Sequence, residues 1–483
     1  MNTLRKLLGL ILGLVIMQAA YPHYKASYHV IVDTDGGIDD FRALCMLLAT
    51  PEIEVIAVTT VDGILTPEKT AQKVSTLLHL FGHQGIPVGV GSELPDKGEL
   101  PAGASELAGR LGWGNQDGPG PAQLPGAVDL IRASVELEEM PVDIIALGPL
   151  TNVAQAIASE PGLQEEIRRI FWYSESRGRE GFNHRVDPRA SGLVENSGIG
   201  LDIISGNDMV IGDLQSYLHA LDTVRSDYAR AIRDFYMQDD GIVQAHQMGS
   251  RFADDCIPAY LTHPGYFTVD TLTLEPVRRE ARAHDASGLT RATLQILDTD
   301  REDRCIIFKS FPVDRNLFEE DVARIAGQVI EKYGRKEWKI VVLTNEFHEH
   351  LGIYSIVGAK MGLRAREYFN VGIDELIIES LAGSNPPVSC LNDGLQASTG
   401  STLGHGTISV TGDAPVPEAR FTFKNTTIRL KLKEDIRDQI RKDVSYGIRQ
   451  FGLDSPEYWD YIRALALQYW LTLDRREIFE IIV

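Results

Sequence analysis

The chain has 483 residues, a length that predicts about two to four domains rather than one. Its 43% hydrophobic and 24% charged content excludes wholesale disorder and collagen-like or coiled-coil architectures. With 68 acidic against 47 basic side chains the formal net charge is −21, which excludes a nucleic-acid partner unless a basic patch exists. The one dense basic run, Arg429 to Lys442, alternates with acids and reads as a solvated strand and helix face. Cys45, Cys256, Cys305 and Cys390 are too dispersed for a zinc ribbon or a disulfide-dense scaffold.

Taken in chain order, the first segment differs in kind from the rest. Arg5 and Lys6 precede an apolar run from Leu7 to Met17, followed by Ala19 and Ala20. That run falls short of the ~20 residues of a membrane span but suits the core of a secretory signal. Residues 1–27 are therefore expected to be a signal peptide or N-terminal anchor. The protein is expected to be exported (periplasmic, secreted or membrane-anchored), a tether through residues 7–20 being one form of this.

Beyond it, β-branched apolar runs alternate with amphipathic windows. Strands are expected at His29–Val32, Glu54–Thr60, Val88–Val90, Val142–Leu147, Ile170–Tyr173 and Leu201–Ile204. Helices are expected at Asp40–Leu48, Pro67–Phe81, Ala127–Leu137 and Asn152–Ala158. This alternation predicts an α/β fold with a doubly wound, mostly parallel sheet, whose ligands bind beyond the carboxyl ends of the strands. The Gly- and Pro-rich stretch from Gly91 to Pro125 reads as an active-site loop. Near residues 300–335 the pattern changes to a second, smaller α+β domain. Around and beyond that change, Phe267–Val277, Arg304–Lys309 and Lys339–Val342 read as strands and Leu317–Lys332 as a helix.

Asp33-Thr34-Asp35-Gly36-Gly37-Ile38-Asp39-Asp40 follows directly on the first strand. Four carboxylates between a buried strand and a buried helix repel one another and are costly to desolvate without a cation. A hard divalent ion such as Ca²⁺ takes such oxygens, and the two glycines let Asp35 and Asp40 converge on it.

This octapeptide resembles the N-terminal fingerprint of the inosine-uridine-preferring nucleoside hydrolases. Ala146 to Asn152, Phe182-Asn183 with Asp187-Pro188, and Asp254 six residues before Tyr260 agree in order and spacing. The resemblance covers roughly residues 28–275 and implies a nucleoside hydrolase-like domain over residues 28–300. It implies Ca²⁺ bound by Asp35, Asp40, Asp254 and the backbone carbonyl of Thr151, with Asp33 buttressing the cluster. Asp35 would be the general base, and Asp39 and Asn183 would hold the sugar hydroxyls. The implied activity is calcium-dependent cleavage of the N-glycosidic bond of nucleosides or related ribosides by metal-activated water. The sequence departs from the family pattern at Ile64, Gly181 and Ala253, where two sugar contacts and a candidate leaving-group acid are replaced. His184 and Arg185 lie nearby in sequence. These departures imply altered specificity, or a sugar- or nucleoside-binding protein without catalysis as the alternative.

A second constellation begins at Phe347-His348-Glu349-His350-Leu351, read as a strand end, and continues at Cys390 to Gly406. His348, His350 and Cys390 are candidate Zn²⁺ ligands. The pattern resembles the FmdE domain, named for a component of formylmethanofuran dehydrogenase, over about residues 340–435. Asp393, Gln396, Thr399, Gly400, Thr402 and Gly404 fit it, with one extra residue between Cys390 and Asp393. Gly352 and Ile353 replace the family's Cys-Pro. The resemblance implies an FmdE-like α+β domain over residues 301–483. Expected partners are a small nucleoside or riboside and no nucleic acid, with a homo-oligomer left open.

Overall fold

A computed structural model describes residues 26–95, 103–113, 124–174, 181–206, 209–210, 214–238, 252–299, 305–412, 415–453 and 455–483. The apolar run at residues 7–17 and the tether expected at residues 7–20 lie outside these. The chain divides into two compact units, one of Ala26–Arg301 with Tyr368–Asn370, the other of Glu302–Glu367 and Val371–Val483.

The first unit is built on an eight-stranded sheet. Its strands are β1 (Tyr28–Thr34), β2 (Ile53–Thr60), β3 (Val88–Val90), β4 (Val142–Ala146), β5 (Ile167–Tyr173), β6 (Gly200–Ser205), β7 (Phe267–Leu274) and β8 (Val277–Ala283). Their order is β3-β2-β1-β4-β5-β6-β8-β7, parallel throughout except for the β7–β8 hairpin. Alternate residues of β1 enter opposite cores. Val30 and Val32 pack with Phe41, Leu44 and Leu47 of the helix Ile38–Ala49, whereas Ile31 packs with Ile131, Ile144 and Val153 on the other face. Burial on both faces explains why these strands read as continuous apolar runs instead of alternating ones. The winding reverses between β1 and β4, so the segments after these two strands flank the crevice where ligands bind in such sheets.

The second unit carries β9 (Ile377–Ser380), β10 (Ile408–Val410), β11 (Glu418–Phe423), β12 (Thr426–Leu432) and β13 (Phe479–Ile482), in the order β10-β9-β11-β12-β13. Phe421, Ile428 and Leu430 are buried, and Trp338 stacks on Trp470 at 5.1 Å between centroids. Its helices include Glu320–Phe347, Ile353–Phe369, Leu391–Thr399, Glu434–Phe451 and Pro456–Thr472. Lys360, fully buried, is neutralised by Glu337 at 2.5 Å.

Three expectations fail here. The single strand at Phe267–Val277 is a hairpin turning at Glu275-Pro276. Of Arg304–Lys309, the described residues 305–309 form bends and no strand. Lys339–Val342 is helix, because the helix expected to stop at Lys332 bends at Gly334, whose φ is +83°, and continues to Phe347. Trp338, Val341, Thr344 and Asn345 are buried at helical spacing, so packing overrides the β-preference of a short apolar run. Glu346 to Leu351 is consequently a helix end and turn, not a strand end.

Candidate active site

The site grows from the turn between β1 and the helix Ile38–Ala49. Gly37 caps that helix with an extended backbone and no side-chain cap, and Asp39 and Asp40 occupy its first turn, where the helix dipole favours acids. Asp40 is drawn back toward the strand: its Oδ1 accepts from Thr34 Oγ1 at 2.5 Å and from the Asp35 backbone N–H at 3.0 Å. Asp35 is buried, and its carboxylate accepts from the N–H groups of Gly37 at 3.3 Å and Ile64 at 3.2 Å. Close approach here demands glycine. A Cβ on Gly63 would lie 2.2 Å from Asp35 Oδ2, and one on Gly37 would lie 2.7 Å from oxygens of both Asp39 and Asp40.

Asp254, distant from β1 in sequence, comes from the segment before the helix Cys256–Thr262. Asp39, Asp40 and Asp254 each present an oxygen within 4.8 Å of the others. The structure therefore brings Asp39, expected at the sugar, into the same acidic cluster as the expected ligands Asp40 and Asp254. Asp33 is fully buried beside the strand end: Oδ1 accepts from Thr59 Oγ1 at 2.7 Å and Asn152 Nδ2 at 2.8 Å. Thr151 opens the helix Thr151–Ser159 after β4, and its hydroxyl donates to Asp187 Oδ2 at 2.9 Å. Asp187 in turn caps the helix Pro188–Glu195 through the Ala190 N–H. Asn183 is buried, and its amide N–H groups donate to the carbonyls of Leu147 (2.8 Å) and Tyr173 (3.3 Å), which leaves Oδ1 as the atom it can present.

The donor set fits a divalent cation. Asp33 Oδ2 and Asp254 Oδ1 are buried with no hydrogen-bond partner among the described residues, an expensive state for carboxylate oxygens unless a cation meets them. Burial, then repulsion by Asp40 and Asp39, pushes the Asp35 carboxyl well above the usual range, and burial followed by the same neighbours does so for Asp254. Asp33 is pushed up to about 6 by burial, against the bonds from Thr59 and Asn152, and Asp39 to about 6 by burial and Asp40.

A pH dependence follows. These folded-state values lie above the ~3.9 of an unfolded Asp, so the folded chain without cation binds the extra protons. That contribution to stability is complete below about pH 4 and is lost as pH rises through about 6. A bound cation holds the carboxylates ionised and offsets the loss. The rise in Tm on adding Ca²⁺ to chelator-stripped protein is therefore expected to be small at pH 5 and large at pH 8. An equal rise at both pH values would contradict the assignment of these carboxylates to a cation.

Sequence reasoning missed Arg42. Buried in the apolar helix Ile38–Ala49, it donates from Nη1 to Tyr236 Oη at 2.6 Å and from Nη2 to Asp255 Oδ1 at 3.2 Å. It is a fixed positive charge behind the cluster, and it lowers the proton affinity of Asp39. The signal available was an arginine within an otherwise apolar helical face.

In the second unit, His348 Nδ1 pairs with Asp393 Oδ2 at 2.7 Å, and His348 Nε2 is buried with no partner among the described residues. A histidine oriented in this way by a carboxylate presents Nε2 as a metal ligand. His348, Cys390, Asn392, Asp393 and Gln396 line one cavity of about 390 Å³. Burial and the neighbouring Asp393 push the Cys390 thiol up, so it stays protonated unless a cation is present. His350 is not among the lining residues. Its ring lies 4.2 Å from that of His348 and edge-on to Trp459, so of the three expected ligands His348 and Cys390 share the cavity. Asp393, which orients His348, lines the same cavity, and His350 does not.

The geometry is that of a doubly wound α/β fold with a carboxylate cluster at its topological switch point, where such sheets bind small ligands. Residues 30–320 match the family described as inosine-uridine preferring nucleoside hydrolase, and residues 347–479 match FmdE, of the molybdenum formylmethanofuran dehydrogenase operon. The pyrimidine-specific ribonucleoside hydrolase RihA of Salmonella agona is 33% identical over 253 residues, covering 50% of this chain and 81% of its own. The same enzyme of Klebsiella pneumoniae is 31% identical over 310 residues, covering 61% and 97%. A solved inosine-uridine preferring nucleoside hydrolase of Bacillus anthracis superposes with a TM-score of 0.47 at 18% identity, covering 56% and 99%. The chain belongs to the inosine-uridine preferring nucleoside hydrolase family, a family of N-glycosyl hydrolases, and carries an FmdE-like region after it.

Proposed function

We propose that this chain hydrolyses the N-glycosidic bond of nucleosides or related ribosides in a calcium-dependent reaction. Asp35, Asp40, Asp254 and the Thr151 carbonyl would hold the ion, with Asp39 beside them. The observation that carries this reading is the partnerless Oδ1 of buried Asp254 within the cluster it forms with Asp39 and Asp40. A divalent ion bound there supplies Lewis-acid polarisation of water.

The remaining work falls to side chains of this chain. Asp35 is aimed by the Gly37 and Ile64 N–H groups and has a raised proton affinity, both of which suit a general base that receives the proton of the attacking water. Asn183 presents its Oδ1 to a sugar hydroxyl as an acceptor, and half-buried Asp39 offers a second one. The water oxygen bonds to the anomeric carbon as the bond to the base nitrogen breaks, through an oxocarbenium-like transition state with inversion. The departing base carries the electron pair away, and Ala253 has no proton to give it.

Specificity rests on what is missing. Ile64 contributes a backbone N–H to Asp35 and otherwise an apolar, half-buried side chain, and Gly181 contributes no side chain at all. A site that hydrogen-bonds hydroxyls rejects analogues lacking them by as much as ~10⁴–10⁵-fold. Without those polar groups, discrimination between inosine and 2′-deoxyinosine should fall far below that range. Nitrophenyl riboside, whose leaving group needs no acid, should be cleaved best. Measuring kcat/KM for these substrates and uridine, with Ca²⁺ and after chelation, tests the proposal. Undiminished turnover in chelated protein would overturn the calcium dependence, and exclusive activity on inosine would overturn the relaxed specificity and show that other side chains, His184 or Arg185 among them, fill the missing roles. Tight binding without turnover of any of them would instead mark a nucleoside-binding module.

A further inference from the structure

The aspartate cluster draws on two parts of the chain that meet only in the fold. Asp39 and Asp40 lie in the first turn of the helix Ile38–Ala49, whereas Asp254 lies in the segment before the helix Cys256–Thr262. Arg42 follows Asp39 by three residues, so the two share a face of the first helix. Its side chain is 5% exposed and reaches in two directions. Nη1 donates to Tyr236 Oη at 2.6 Å, at the end of the helix Asp227–Tyr236, and Nη2 donates to Asp255 Oδ1 at 3.2 Å.

Asp254 and Asp255 are neighbours with different surroundings. Asp254 Oδ1 is buried with no hydrogen-bond partner among the described residues, and Asp254 belongs to the cluster with Asp39 and Asp40. Asp255, 1% exposed, serves Arg42 instead, and the same Oδ1 accepts the Ala253 N–H at 2.9 Å. The carbonyls of Ala253 and Asp254 accept the N–H groups of Cys256 at 2.9 Å and Ile257 at 3.0 Å. The backbone around Asp254 is thus held on both sides, and one of those holds runs through Asp255 to Arg42. The other arm of the arginine is anchored independently. Phe235, beside Tyr236, stacks on Phe41, beside Arg42, at 4.5 Å between centroids.

Charge alone gives the arginine the wrong sign for this place. A guanidinium behind a cation site repels the cation, so an arginine acting only through its charge would weaken the site. Its planar fork, however, offers donors in fixed geometry, which suits two simultaneous contacts better than the single ammonium of lysine. Taking the cluster as a calcium site, on which this reading rests, we propose that Arg42 is a positioning residue. Through Asp255 it sets Asp254 against Asp39 and Asp40 at the separation the cation needs.

The test is calcium affinity, measured by titration calorimetry on the chelator-stripped full chain, for Arg42→Met, Asp255→Asn and the two combined. The combined variant removes equal and opposite charges, so a loss in it reports position. Each single variant is expected to weaken calcium binding ~10–100-fold, the usual effect of losing an outer-shell partner. The combined variant should bind no more weakly than the weaker single, because both changes break one contact. Arg42→Lys keeps the charge without the fork and should also lose affinity. In all four, saturating calcium should restore most of kcat on nitrophenyl riboside. Arg42→Met leaves Asp255 buried and unpaired by it, a change that can prevent folding. In that case the combined variant and Arg42→Lys decide the matter. Unchanged or tighter calcium binding on loss of Arg42, additive losses in the combined variant, or a kcat that stays low at saturating calcium would each overturn the proposal. Wild type that neither binds calcium nor hydrolyses would overturn the calcium reading and this one with it. Wild type that does both, beside variants of wild-type affinity, would overturn only the role of Arg42.

Discussion

Asp40→Asn is expected to abolish both calcium binding and hydrolysis. The residue is buried, its Oδ1 is held by Thr34 and by the Asp35 N–H, and its carboxylate meets Asp39 and Asp254 in the cluster. The amide keeps the volume but replaces one oxygen with an N–H₂ group that repels a cation. It also removes a negative charge from the group whose repulsion raises the proton affinity of Asp35 and Asp254. Metal-free Asp40→Asn should therefore be no less stable than metal-free wild type, since it relieves repulsion. Its Tm should nevertheless stop responding to calcium. For comparison, an ion present at 100 times its Kd stabilises by ~2.7 kcal/mol. Thermal melts with Ca²⁺ and with chelator make the measurement, and a Tm rise of wild-type size in the variant would remove Asp40 from the ligand set.

Asp35→Asn should separate binding from chemistry. General-base catalysis is worth ~10²–10⁴-fold, and turnover should fall by at least that factor. Its Oδ positions are aimed by the Gly37 and Ile64 N–H groups, so an amide can rotate its oxygen toward one of them but must turn an N–H₂ toward the other. Calcium binding should weaken and persist through Asp40 and Asp254. The loss should appear in kcat more than in KM. A variant retaining near-normal kcat on the best substrate would assign the base elsewhere.

How much of this was legible in the sequence varies along the chain. The first unit was, because burial on both faces of a parallel sheet leaves uninterrupted β-branched runs. Pro67–Phe81, Val88–Val90 and Ala127–Leu137 occupy the expected bounds. The aspartate octapeptide was legible because four acids between two apolar elements have few inexpensive explanations. The convergence of Asp254 on Asp40 came from the resemblance alone, since about two hundred residues separate them and no local pattern encodes a contact that long. The second unit misled at Lys339–Val342, where a β-branched run is ambiguous until its neighbours show which side chains are buried. Reading the following segment as a strand end grouped His348 and His350 as candidate ligands, whereas the turn after Phe347 sends His348 to the cavity and His350 to Trp459.

The close packing of Asp35 against Gly63, and of Asp39 and Asp40 against Gly37, also bears on how this scaffold can acquire new specificities. The floor of the site is contoured by backbone, with a β-carbon at Gly63 excluded by a 2.2 Å approach to the carboxylate. Laboratory evolution that randomises these glycines would mostly sample broken sites. On the proposed function, adaptive change would instead fall to Ile64, Gly181 and Ala253, the positions where the sequence departs from the family pattern. A focused library at those three positions should recover altered sugar and base preferences at a much higher frequency than an equally large library spread over residues 33–40.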